Sequence, residues 1–343
     1  TSHALDKNDT LVVNYLNARE SHFRVLVLQF IQMIGFKVLV TAGLLLIGGL
    51  LVLNQEMNIG QFVAAEIIIL LVIGSVEKLI LGLETFYDLL TSLEKMGQVV
   101  DKELEAQEGE KPFMENQAFT VELSEISYSV PQPKRQIIKD LSLTISPSCT
   151  ILLRGNSGSG KNTLLRLIAG IIEPDSGGVY VNGVSLKGMN LNYYRSHLGQ
   201  SLPEESPFEG TILNNITFGD KETTNEQVYW ALDKVGLTDF VKKQPEGLNT
   251  VLYPEGKQIP YTVSKKIVLA RSIVRKPKLL ILKDPLDQFN VDEADRILSF
   301  LSDPANGWAL LVVSENDKWI KKCSRIITME KGQIINEIQG KDA

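Results

Sequence analysis

Gly155-Asn156-Ser157-Gly158-Ser159-Gly160-Lys161-Asn162-Thr163 stands between the apolar run Ile151-Leu152-Leu153 and a helically spaced set of Leu164, Leu165, Leu167 and Ile168. Strand, glycine-rich turn, lysine and helix in this order is the arrangement of a phosphate-binding loop. The glycines let the backbone turn several N–H groups inward, and the helix that follows presents its positive end to the same spot. Lys161 supplies a mobile cation for the β and γ phosphates of a nucleotide. A glycine-rich turn that binds nothing is the alternative, and the lysine in register with both flanks argues against it. One position departs from the pattern. Asn162 stands where a Ser or Thr hydroxyl normally sits on Mg²⁺, with Thr163 one place later. An amide oxygen is a hard ligand, but the longer side chain must fit an octahedron of about 2.1 Å bonds. The loop therefore predicts nucleotide binding, with Asn162 as the candidate metal ligand.

Outward from the loop, a chain of 343 residues is longer than one core usually supports, so two or more units are expected. The apolar residues crowd into the segment before residue 84. A net charge of −6 argues against a general nucleic-acid binder. Cys149 and Cys323 are far apart and lack metal-ligand spacing, and they read as free or buried thiols of a reducing compartment. No basic segment followed by a short apolar core opens the chain, which argues against a secretory signal; the start reads as that of a fragment.

Before the loop lie two apolar stretches. The stretch from Val25 to Leu53 is apolar but for Gln29, Gln32 and Lys37, with no charge after Lys37, and the one from Ile59 to Leu83 is interrupted by the charged Glu66, Glu77 and Lys78. Each is long enough to cross about 30 Å of hydrocarbon as a helix. Gly43, Gly48 and Gly49 among leucines suit closely packed membrane helices better than a buried hairpin of a soluble protein. The turn Asn54–Asn58 has no Lys or Arg, whereas Lys7, Arg19 and Arg24 precede the first span and Lys95 and Lys102 follow the second. The positive-inside rule then puts both ends in the cytoplasm and the turn outside. Glu66, a carboxylate within a span, either faces the bundle interior or lies near a wet interface. Residues 84–104 read as a helix, and the acidic run from Glu103 to Pro112 as linker. Beyond Phe119 the pattern is α/β: Val121–Ile126 alternates as a strand, and Asn182-Gly183 signals a tight hairpin. A helix start with a capping box is expected at Thr223 and Glu226, another at Asn290 and Glu293. Leu279–Leu282 and Ala309–Val313 read as buried parallel strands.

Membrane hairpin, helix, acidic linker and phosphate-loop domain in this order resemble half of an ATP-binding cassette (ABC) exporter, cut to its last two membrane helices and its nucleotide-binding domain. Ile137–Ile145 is similar to the strand leading into that family's Walker A loop. Phe208–Ile216 resembles the segment after its Q-loop, Leu269–Ser272 the helix after its signature, and Lys331–Ile334 its late hairpin. The resemblance implies an α/β P-loop NTPase fold with a helical subdomain, preceded by an all-α transmembrane hairpin. Its boundaries would be 1–104 with spans 26–53 and 59–83, a linker over 105–118, and the nucleotide-binding domain over 119–343. It further implies ATP and Mg²⁺ as cofactors, a homodimer or a heterodimer with another half, an exported substrate, and an integral membrane location, the bacterial inner membrane, with the nucleotide domain cytoplasmic.

The same comparison exposes departures at the positions the family uses for catalysis. The Q-loop glutamine position falls on Pro203, although Gln200 is near, and the signature position reads Ile259-Pro260-Tyr261-Thr262-Val263. The Walker B pair is Lys283-Asp284, which leaves Asp284 as the candidate general base, one methylene short, with a cation beside it. The switch histidine position is Glu315. The adenine-stacking aromatic would be Tyr128, two residues before the expected place, which holds Val130. Two functions follow from this pattern: an exporter subunit driven by ATP, and a non-hydrolysing regulatory or structural partner of a competent half. A soluble P-loop kinase is disfavoured by the two spans.

Overall fold

The computed structural model describes residues 2–102, 104–105, 108–112, 117–131 and 133–340, which fall into two compact units, Thr1–Leu104 and Glu105–Ala343. In the first unit, α1 (Ser2–Leu53) and α2 (Ile59–Val100) are joined by a short turn. With 52 and 42 residues, they extend about 78 Å and 63 Å at 1.5 Å per residue, well past a bilayer core. The segments before and after the expected spans therefore continue the same helices. Asn58 stops the turn: its side chain accepts from the Gln61 N–H at 2.8 Å, and Gln61 reaches back to the Asn58 N–H at 3.0 Å, a reciprocal cap. Gly48 lies against the ring of Phe62, and Lys37 pairs with Glu77 at 3.5 Å across the two helices. Both helices are long and apolar enough to cross a membrane, and their apolar windows are almost wholly exposed. Glu66 is half-buried.

Of the expected linker, residues 106, 107 and 113–116 lie outside the described residues, as does Glu103. In chain order the second unit then runs through β1 (Val121–Pro131), β2 (Lys134–Ile145) and β3 (Thr150–Arg154), which leads through the glycine-rich loop into α3 (Lys161–Ile168). There follow β4 (Ser176–Val181), β5 (Val184–Ser185), α4 (Leu191–Ser196), β6 (Leu198–Ser201) and β7 (Gly210–Thr211). A mainly helical region comes next: α5 (Ile212–Thr217), α6 (Asn225–Val235), α7 (Thr238–Lys242), β8 (Val251–Leu252) and α8 (Tyr261–Ile273). The chain closes with β9 (Leu279–Lys283), α9 (Val291–Leu301), β10 (Ala309–Val313), β11 (Arg325–Glu330) and β12 (Gln333–Gln339).

The larger sheet has the order β12-β11-β3-β10-β9-β6, parallel except for β12. Alternation along its strands divides the core in two. Ile151, Leu153, Leu279, Ile281, Leu311 and Val313 face α3 and the antiparallel sheet β2-β1-β4-β5. Leu152, Leu280, Leu282, Leu310 and Val312 face the helices around α8. Burial on both sides explains why Leu279–Leu282 and Ala309–Val313 are continuous apolar runs rather than alternating ones. The Asn182-Gly183 hairpin forms as expected, with φ of 50° and 82°, and the Asn182 side chain also accepts from the Thr120 N–H at 2.8 Å. The second helix start also holds: Asn290 accepts from the Glu293 N–H at 2.9 Å. The first is displaced by one residue. Thr224, not Thr223, caps α6, and the box closes on Gln227 rather than Glu226; Thr223 spends its hydroxyl on Asp220 at 2.8 Å. Cys149 is half-buried and Cys323 buried, both as free thiols, and burial pushes the Cys323 thiol up to about 12.

Candidate nucleotide site

The loop is held in place by backbone from the far end of the chain. Gly155 has φ of 141°, and a Cβ there would run into the Met329 carbonyl of β11. Gly332, in the turn between β11 and β12, donates its N–H to the Ser159 carbonyl at 3.0 Å and accepts from the Lys139 N–H at 3.0 Å. A Cβ on Gly332 would strike the Ile137 carbonyl of β2. Two strands thus clamp the loop at contact distances that only glycine permits. Inside the loop, the Ser159 N–H donates to the Asn156 carbonyl at 3.1 Å, and Ser159 is buried while Asn156, Ser157 and Gly158 are exposed. Space is open beside Gly158, where a Cβ would meet nothing within 4 Å.

Lys161 begins α3 and folds back over the loop. Its ammonium donates to the Gly155 carbonyl, to the Asn156 carbonyl at 3.0 Å and to the Ser159 hydroxyl at 3.4 Å. Burial lowers its pKa; Glu315 opposes that shift, Lys283 adds to it, and Asp284 opposes it. The sheet explains why these charges meet. Val313 pairs with Leu153 on one side and with Lys283 on the other, so β9, β10 and β3 end level with one another beside the loop. Ligands of open parallel sheets collect at this carboxyl edge.

The expected site residues are therefore brought together, but not into one working constellation. Asp284 takes φ of 43°, its N–H donates to the Val313 carbonyl at 2.9 Å, and it is half-buried. Burial raises its pKa, against the pull of Lys283 and of a hydrogen bond with the Ser314 side chain. Glu315 is exposed and has a partner of its own. Arg154 pairs with it at 3.7 Å and with Asp317 at 3.1 Å. Arg154 escaped the sequence reading because nothing in the pattern of β3 says which residues after β10 it will meet. Asn162 is exposed and Thr163 half-buried. Gln200 lines a cavity of about 290 Å³ with Glu205 and Arg271, and its Oε1 is buried without a partner. Pro260 and Tyr261 begin α8; the Tyr261 ring is half-exposed, with the Lys265 ammonium 5.5 Å from its centroid. Tyr128 pairs across the sheet with Ile138, whose side chain lies beside Gly160, and it is half-buried against the core, whereas Val130 is exposed.

This donor set fits a nucleotide's phosphates: inward-turned backbone, a helix start, and an ammonium held by carbonyls that an anion can displace. It does not fit a divalent cation. Among the described residues no group of three or more acidic, His or Cys side chains converges anywhere, and the half-buried Asp284 shares a hydrogen bond with the Ser314 side chain. Loop, parallel sheet and helical region together define a P-loop nucleotide-binding domain.

Residues 138–287 match the sequence family described as ABC transporter, and the chain carries an ABC transporter domain. It is 27% identical over 97% of its length to the leukotoxin translocation ATP-binding protein LktB of Mannheimia haemolytica, covering 47% of that protein. The ATP-dependent lipid A-core flippase of Bordetella avium is 27% identical over 72% of this chain and 42% of its own. The ABC multidrug transporter MDR2 of Trichophyton equinum is 30% identical over 68% of this chain and 18% of its own. The chain thus spans less than half the length of these relatives. A solved bacterial Atm1-family ABC exporter with ATP bound has the same fold, with a TM-score of 0.76 over 88% of this chain and 53% of that one at 19% identity.

Proposed function

We propose that this chain is the ATP-binding part of an ABC-type exporter subunit, in which residues 1–104 close a transmembrane domain and residues 119–343 bind the nucleotide. The observation that carries this reading is Lys161: its ammonium rests on the loop's own carbonyls at the carboxyl edge of a parallel sheet, where incoming phosphates would draw it away. Gly155–Thr163 would hold the phosphates, and Tyr128 in β1 would flank the base. Asp284 would be the base toward a water, and its shorter reach costs on the order of a hundredfold if the reacting atoms sit about 1 Å apart from their best geometry. The relatives that align over both units, LktB and the exotoxin translocation protein PaxB of Pasteurella aerogenes, support a peptide or protein cargo over a lipid-like one. They also support a bacterial inner membrane, with the nucleotide domain in the cytoplasm, and a pair of such chains, or this chain with another half, as the working unit.

A second reading has its own support: a partner that binds nucleotide without turning it over. Lys283 replaces a carboxylate, Arg154 engages Glu315, and Pro260 and Tyr261 stand where a serine and a glycine of the family's signature would clamp the nucleotide on the opposite chain. One experiment separates the two. Purified full-length protein in lipid either hydrolyses Mg-ATP and loses that activity on Lys161→Ala, or binds ATP with no turnover above the Lys161→Ala background. Absence of any ATP binding would end both readings.

A further inference from the structure

We propose that this site takes its nucleotide without a divalent cation, the Lys283 ammonium neutralising phosphate charge that a magnesium ion would otherwise offset. The inference deepens the ATP-binding reading above and rests on it. Lys283 is the last residue of β9, and Val313 lies between it and Leu153, two residues before Gly155. With strands about 4.8 Å apart, the Lys283 backbone is about 10 Å from the stem of the loop, a gap that a lysine side chain and a phosphate chain bridge from opposite sides. Lys283 is half-buried, and no acidic side chain lies within 4.0 Å of its ammonium among the described residues. An ammonium without an acidic partner at the carboxyl edge of the sheet attracts a polyanion and repels a further cation.

The two acids at this edge each have a partner within the protein. Glu315 goes to Arg154, and Asp284 is opposed by burial and engaged by Ser314. Asn162 offers one neutral oxygen from an exposed position. Magnesium is normally held by one or two carboxylates plus the phosphates, within near-ideal octahedral geometry. A lysine ammonium makes no such demand: it is a compact charge with rotatable donors on a flexible stem.

The test is calorimetric titration of the full chain in lipid nanodiscs with ATP, once in excess magnesium and once in excess EDTA. The dissociation constants should differ by less than about fivefold, and Lys283→Gln should weaken binding in EDTA by about tenfold or more. Lys283→Asp, which restores a carboxylate, should bind at least about tenfold more tightly with magnesium than without it. A parent protein that loses about fivefold or more in EDTA overturns the inference, as does a Lys283→Gln variant that binds in EDTA like the parent. So does a Lys283→Asp variant indifferent to magnesium. Melting curves of the variants identify any that fail to fold, and the parent's own comparison of the two buffers stands without them. Binding in neither buffer removes the ATP reading and this inference together; binding only with magnesium removes this inference alone.

Discussion

Lys161 and Glu205 are two titratable side chains with opposite fates on burial. Lys161 is held by three oxygens of its own loop, so its truncation removes the cation without disturbing the strand that leads into it. Lys161→Ala is expected to abolish the rise in melting temperature that ATP gives the parent, a stabilisation of about 2.7 kcal/mol at a hundred times the dissociation constant. Glu205 is a carboxyl beside the half-buried Arg271, with one oxygen lacking a partner, and burial pushes it up from 4.5 to about 7. The folded state then binds a proton more tightly than the unfolded one, so stability falls as pH rises from about 4.5 to about 7 and stays low above that. Glu205→Gln should remove this slope, on the order of 2 kcal/mol between pH 5 and pH 8, as read by urea denaturation at the two pH values. Neither the clamp on Glu315 by Arg154 nor the isolation of Glu205 is legible in the sequence, because both partners come from segments distant in the chain.

The β11–β12 turn acts as a latch on the phosphate loop. Lys331-Gly332-Gln333 was recognisable as a hairpin turn, but its grip on Ser159 exists only because β11 pairs with β3 in parallel. Gly332→Ala places a methyl against the Ile137 carbonyl at φ of 85°, a strained position for any side chain. Destabilisation of about 1–3 kcal/mol is expected, measured as a drop in the urea midpoint, together with weaker ATP binding because the loop loses its outer hydrogen bond. Helices were legible where a side chain itself caps them, as at Asn290. The α6 start slipped by one residue because two adjacent threonines offer the same hydroxyl, and Asp220 decides which one is free.

For the molecule as a whole, two expectations follow from charge and from the altered motif positions. A cysteine introduced at Glu56, in the turn between α1 and α2, should react with a membrane-impermeant maleimide added outside intact cells. The native Cys149 and Cys323, half-buried and buried in the other unit, should not. Labelling only after lysis would reverse the proposed orientation. Turnover should be low in the parent and rise by at least about tenfold when Pro260→Ser, Tyr261→Gly and Thr262→Gly are combined with Lys283→Asp, Asp284→Glu and Glu315→His. An inorganic-phosphate assay on reconstituted protein checks this. No gain would mean that the hindrance lies outside these positions.

The sequence by itself determined the phosphate loop, the two long apolar helices and the buried parallel strands. Each of these is written in local terms: glycine and lysine spacing, uninterrupted apolar length, and runs buried on both faces. It could also name the altered positions Lys283, Asp284 and Glu315. What these residues do was decided only by tertiary structure, because sheet register sets which charges become neighbours across β3, β10 and β9. Coulombic and hydrogen-bonding partners are chosen by distance in space, and a strand's own pattern carries no record of the strand that will lie beside it.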